Sequence, residues 1–264
     1  MKTDATAAAL RTEDPEEIET EAGHRSKVIE VPEGAAWNAV EDAMLRRRSI
    51  RKYKRRQVPA HVIRRLLEVA RYAPSQGNCQ PWKFVVVRDA DVIQAMEDFC
   101  VEACRKLSRS LDYVNYPHGS FKHFFTRAKA KLFNRLQPNM LHPVPMTAVT
   151  LIAQGRFTVF HRAPTLILLL VDKRGIGTPE IDIGICGTNI VLAAQSLGLG
   201  TCWIGFSKFL NQSRDWCVRL GVEEPYEICQ AITVGYPVGN PTHLIARDTH
   251  ETAWFEGGKK EILY

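Results

Sequence analysis

The seven cysteines of this chain, at positions 79, 100, 104, 186, 202, 217 and 229, include no CxxC pair. An odd, scattered set argues against a disulfide framework and against a four-thiolate zinc or iron–sulfur centre, and it fits a reducing compartment. Long apolar runs are also missing. The longest, Leu166 to Val171 with its neighbours, is far too short to span a bilayer, and no apolar run follows a basic start at the N-terminus, so a cytoplasmic protein is expected. There is no internal repeat. His118, His123 and His142 are irregularly spaced without acidic or thiol companions, and no metal site is expected. The remaining composition, 45% hydrophobic and 24% charged over 264 residues with a net charge of +6, is that of an ordinary globular chain.

What the chain does have is RRRSIRKYKRR, Arg46 to Arg56, with eight positive charges in eleven residues. Two kinds of anion suit such a cluster. A nucleic acid needs a basic surface with interleaved stacking aromatics, whereas one phosphate needs only two or three of these side chains and a separate pocket for the rest of the ligand. No recognisable nucleic-acid module accompanies the cluster, and no nucleic-acid partner is expected.

Residues 1–36 read as a polar N-terminal extension, acidic from Glu13 to Glu21 and broken by Pro15 and Pro32. Trp37, Val40, Met44 and Leu45 recur at helical spacing, and a second helix starts at Val58-Pro59-Ala60 with Val62, Ile63, Leu66, Leu67 and Ala70 as its buried stripe. Pro74-Ser75-Gln76-Gly77-Asn78-Cys79-Gln80-Pro81-Trp82 is a loop of turn formers and amides leading into a short strand, Phe84 to Val87. Further strands are expected at Thr165–Val171, Thr201–Phe206 and Glu227–Val234, with a helix around Phe209–Leu220. Between Ile181 and Leu197 apolar residues fall on nearly every face, which predicts a central helix covered on all sides. Cys100 and Cys104 share a helical face and read as small core residues.

RRSIR (Arg47 to Arg51), PSQGNCQPW running into KFVVV, IDIGICGTNIVLAAQSLGLGTCWIG (Ile181 to Gly205) and VGYP (Val234 to Pro237) together resemble the FMN-dependent nitroreductase superfamily. The motifs occur in the family's order across most of residues 40–100 and 160–250. The resemblance implies an α+β fold, a mostly antiparallel sheet flanked by helices, in a homodimer with a long buried interface helix, over residues 37–264. It implies that Arg47, Arg48, Ser49 and Arg51, with Arg247 further on, hold the FMN phosphate. Planar guanidinium forks and a hydroxyl match a phosphate monoester of about −1.5 to −2 charge. Pro74, Ser75 and Asn78 are implied beside the isoalloxazine, with Gln80 as a contact or a loop brace. Trp203, Ile204 and Gly205 are implied to offer backbone contacts, and a glycine at a strand end admits a ligand close to the main chain. No catalytic side chain is implied, because flavin N5 carries the chemistry. The expected activity is a ping-pong oxidoreductase that takes electrons from NADH or NADPH and reduces nitroaromatic, quinone or similar small electron-poor acceptors. Other readings are a different flavin oxidoreductase on the same fold (ene-reductase, dehydrogenase or flavin-fragmenting enzyme) and a flavin-storage or sensor protein.

Residues 100–160 depart most from the family's compact core. Phe121, Phe124, Phe125, Ala128, Leu132 and Leu136 make a helical stripe opposed by Lys122, Arg127, Lys129, Lys131 and Arg135. A substrate lid, with Phe124 and Phe125 over the acceptor, is one expectation. Packing on the core or the partner subunit is another, and membrane contact is not expected.

Overall fold

The computed structural model of the chain describes residues 37–111, 119–136, 143–239 and 250–263. The extension at 1–36, Arg247, His118 and His142 lie outside the described residues, as do the side chains of Arg135 and Leu136. The described residues fall into two units, residues 46–239 as one and residues 37–45 and 250–263 as the other. The helix α1 (Ala39–Arg46) starts at Asn38, whose Oδ1 accepts from the backbone N–H of Val40 and Glu41 at 2.9 and 3.1 Å, while the Glu41 carboxylate accepts from Asn38 N–H at 2.7 Å.

The unit of residues 46–239 is built around one sheet. In chain order it holds α2 (Ala60–Ala70), β1 (Trp82–Val87), α3 (Ala90–Leu111), α4 (Phe121–Leu136), α5 (Pro143–Ala153), β2 (Thr165–Asp172), α6 (Pro179–Ser196), β3 (Gly200–Ile204), α7 (Arg214–Leu220) and β4 (Tyr226–Gly235). The strand order is β1-β2-β4-β3 and every pairing is antiparallel. β2 explains the layering. Its residues Leu166 to Val171 are all fully buried, and a period of two sends Leu166, Leu168 and Leu170 to one face and Ile167, Leu169 and Val171 to the other. The first set packs with Met96, Cys100 and Cys104 of α3 and Ile152 of α5. The second meets Ile63 and Leu66 of α2 and Ile183, Cys186 and Ile190 of α6. Each of these side chains contributes about 1.5–3 kcal/mol by leaving water.

Three expectations change in detail. β3 ends at Ile204, and Gly205–Gln212 turn into 3-10 helix, with Ser207 Oγ donating to the Ile204 carbonyl at 3.0 Å. The helix expected at Phe209–Leu220 is divided at Ser213, whose hydroxyl accepts from Trp216 N and caps α7. α6 is not covered on all sides within one chain, since Ile181 and Thr188 are exposed and Gly184 faces open space. Beyond residues 46–239, β5 (Thr252–Glu256) and β6 (Lys259–Leu263) form a hairpin through Gly257-Gly258, both at positive φ. Among the described residues no helix is long and apolar enough to cross a membrane.

Candidate functional site

The segment after α1 lies along the edge of the sheet. Ser49 bridges Thr201 in parallel, Ile50 N–H donates to the Thr201 carbonyl at 2.8 Å, and Lys54 N–H donates to the Tyr236 carbonyl at 2.8 Å. Extended backbone alternates its side chains. Ile50 therefore points inward onto Gly200, where an added Cβ would lie 2.7 Å from its Cγ1, so only glycine leaves this seat open. Arg48 is also buried, and its guanidinium donates to the Arg47 carbonyl at 2.8 Å. Ser49 and Arg51 are exposed and Arg47 is half-buried, so RRSIR presents three donors on one face and hides the other two residues.

Below that face lies Cys202. Burial pushes its thiol above the ordinary range, while Arg51, a hydrogen bond from Ser49, and Arg47 pull the other way, which places all three around one point at the start of β3. Tyr53 braces the segment from behind. Its hydroxyl lies 2.6 Å from the Ile50 carbonyl and 2.7 Å from Thr233 Oγ1, and Thr233 donates to the Cys202 carbonyl at 3.2 Å. Burial holds the phenol far above its usual pKa. Of the remaining cations, Arg56 stacks on the Tyr236 ring at 4.9 Å, and Lys52, Lys54 and Arg55 are solvated.

His161 joins the cluster from the loop before β2. It is buried edge-on to Phe157, with ring centroids 5.1 Å apart, and burial together with the charge of Arg51 lowers its pKa to about 4. The loop is strained there, since His161 and Arg162 have φ of 53° and 52°. Glu97 of α3 holds it, its carboxylate accepting from Val159 N and Phe160 N at 2.6 and 2.8 Å. Burial raises the Glu97 pKa, and those two backbone bonds oppose it. Sequence reasoning missed His161, Glu97, Tyr53 and Thr233. No local pattern marks them, because each acts through a contact distant along the chain.

The amide loop is strained too. Gly77, Asn78 and Gln80 have φ of 59°, 55° and 48°, a left-handed conformation that glycine and asparagine accept and glutamine adopts at a cost. Ser75 Oγ accepts from Gln80 N at 3.0 Å, and Gln80 Nε2 donates to Asn78 Oδ1 at 3.1 Å. Gln80 therefore braces the loop, and its bond to the Asn78 side chain engages Oδ1 and not the NH2 group. Pro74, Asn78 and Gln80 are exposed, and Gln76 lies against Gly177 on the turn before α6.

The structure does not bring the two clusters together within one chain. The RRSIR segment flanks the N-terminal end of β3, paired with the C-terminal end of β4, whereas the amide loop enters β1 at the opposite edge and opposite end. Three strand spacings of about 4.8 Å separate the edges by about 14 Å before the offset along the strands is added. Trp203 rests its ring on Gly187, Ile204 is buried, and Gly205 opens toward Gln230 at the amide-loop end of β3. Phe124 and Phe125 stand exposed on α4.

The nitroreductase family profile matches residues 44–236, and the chain belongs to the nitroreductase family. It is 27% identical to the chloronitrobenzene nitroreductase of Comamonas testosteroni over 62% of this chain and 72% of that one. A nitroreductase with bound FMN from Desulfitobacterium hafniense shares the fold at a TM-score of 0.56 with 21% identity, over 80% of this chain and 95% of that one. The FMN-dependent nitroreductase NfnB from Mycobacterium smegmatis, solved with NADPH, matches at a TM-score of 0.51 with 24% identity, over 75% and 87% of the two chains.

Proposed function

We infer that the chain is an FMN-dependent NAD(P)H oxidoreductase that reduces nitroaromatic, quinone or similar electron-poor small molecules, and that it works as a homodimer in the cytoplasm. The observation that carries the reading is the face of RRSIR. Arg47, Ser49 and Arg51 project from one side of a clamped segment, a donor set suited to a phosphate monoester. Membership of the nitroreductase family, together with the FMN bound in the Desulfitobacterium hafniense nitroreductase that shares the fold, supports FMN as the cofactor. Bound there, FMN would supply the redox chemistry between nicotinamide and acceptor. The chain's own residues would bind and orient it: Arg47, Ser49 and Arg51 would hold the phosphate, with Arg247 as a proposed further contact, and the Asn78 amide and the backbone at Gly205 would hold the ring.

The separation of the two clusters supports a dimer. A second copy that docks on the open side of α6 covers Ile181 and Gly184 and brings its amide loop to the first copy's cradle, so each site uses both chains.

Purified protein should carry close to one FMN per chain, bind riboflavin much more weakly, and bleach anaerobically with NADH or NADPH. Equal affinity for FMN and riboflavin would remove the phosphate cradle. A mixed dimer of Arg51→Ala and Asn78→Ala chains tests the shared site. If each site spans both chains, one of the two is wild type and FMN binding returns to half. If each site lies within one chain, neither is intact and nothing returns.

A further inference from the structure

We propose that α4 is a docking surface for anionic phospholipid, holding the protein on the face of a bilayer. This goes beyond the flavin chemistry and does not depend on it. The helix lies against α3, and among its described side chains only His123 is buried, at 6% exposure. At about 100° per residue, Phe121, Phe124, Phe125, Ala128 and Leu132 fall in one sector roughly 100° wide, centred about 155° from His123. The aromatic stripe therefore faces away from the protein. Phe121, Phe124, Phe125 and Leu132 are 77%, 68%, 62% and 58% exposed, and the Phe121 and Phe125 rings pack on each other at 5.2 Å. The three phenylalanines alone expose on the order of 400 Å² of apolar surface.

The charges around that stripe decide what covers it. Lys122 and Lys129 run along one edge, and Arg127 and Lys131 along the other, all four exposed. No aspartate or glutamate occurs anywhere from Phe121 to Leu136. An apolar strip between two cationic borders matches a layer whose surface is anionic and whose interior is hydrocarbon, with the phenyl rings below the headgroups and the ammonium and guanidinium groups among the phosphates. A second copy stacked α4 against α4 about a twofold axis would instead set these cations against one another. The proposal departs from the expectation that the chain makes no membrane contact, and the reason is orientation: the pattern shows two faces, and the structure turns the aromatic one outward.

The test uses the full-length protein as purified with its bound flavin, and vesicles of phosphatidylcholine with about a quarter phosphatidylglycerol, compared with phosphatidylcholine alone. The protein should sediment with the mixed vesicles, much less with the neutral ones, and come off as salt is raised. Lys129→Glu with Lys131→Glu should lower partitioning at least tenfold, and Phe124→Ala with Phe125→Ala should lower it several-fold, with melting temperature and flavin content unchanged in both. Lys54→Glu with Arg55→Glu, which removes as much charge elsewhere, should have little effect. Failure to sediment with the anionic vesicles overturns the proposal, and so does an equal loss from the Lys54 and Arg55 reversal. If the phenylalanine variant keeps its vesicle binding but changes the ranking of soluble acceptors, the helix is a lid. If that variant instead dissociates the dimer in light scattering, the helix is a subunit contact. Either result also overturns the proposal.

Discussion

Replacing Tyr53 by phenylalanine removes one hydroxyl from behind the candidate phosphate cradle and leaves the ring seated against Gly235, where an added Cβ would lie 2.8 Å from Tyr53 Cδ1. The hydroxyl belongs to a group of three oxygen–oxygen contacts: Tyr53 to the Ile50 carbonyl, Tyr53 to Thr233, and Thr233 to the Cys202 carbonyl. Only two hydrogens serve them, one on each hydroxyl. Burial keeps the Tyr53 proton in place throughout the working pH range. Tyr53→Phe strips the Ile50 carbonyl of its side-chain donor and should cost about 1–2 kcal/mol, while Thr233→Val should cost about 1 kcal/mol. Because the two hydroxyls share a contact, the double variant should cost about 0.5–1 kcal/mol less than the sum. Urea midpoints at constant m-value measure all three. Ile50 lies between Ser49 and Arg51, so loosening its carbonyl should weaken FMN about three- to tenfold and leave riboflavin almost unchanged, a shift of roughly 0.7–1.4 kcal/mol. Strictly additive stability changes, or equal losses for both flavins, would refute the argument that this hydroxyl positions the phosphate donors.

Arg47→Ala and Arg51→Ala should each weaken FMN roughly ten- to a hundredfold in fluorescence titrations, the loss of a charge-assisted bond of about 1.5–3 kcal/mol, while Lys54→Ala and Arg56→Ala change it little. His161 sets an acid limit. The unfolded chain protonates this imidazole near pH 6.5 and the folded protein only near pH 4, so stability that is full above pH 6.5 should fall as pH drops to 4, by up to about 3 kcal/mol, and His161→Gln should flatten that part of the profile. Gly187→Ala places a methyl 2.1 Å from Trp203 Cη2 and 2.9 Å from Leu169 Cδ1, which should cost about 1–3 kcal/mol and appear as a lowered melting temperature.

The parts of this protein that were legible in its sequence are those decided by neighbours along the chain. β2 was legible because a continuous run of branched and aliphatic residues has no solvent face to give away, and the same run proved buried on both sides. RRSIR stood out as a basic segment and a candidate phosphate cradle, but the reason Arg48 is buried and Arg47 half-exposed was not legible. Alternation assigns residues to two sides, and which side is open depends on Gly200 and Thr201, about 150 residues away. The same gap explains His161. Nothing in FHRAP says that Glu97, 62 residues earlier, will cap the Val159 N–H, or that Arg51 will sit close enough to suppress protonation. α4 is the sharpest case. Its stripe of phenylalanines was read correctly as one face of a helix, yet amphipathicity carries no arrow, and a buried histidine opposite the stripe reverses the usual sense of inside and outside. Periodicity thus tells how a helix is divided, and only its packing partner tells which half meets the solvent, so the function of such a helix has to be argued from the residues it leaves exposed.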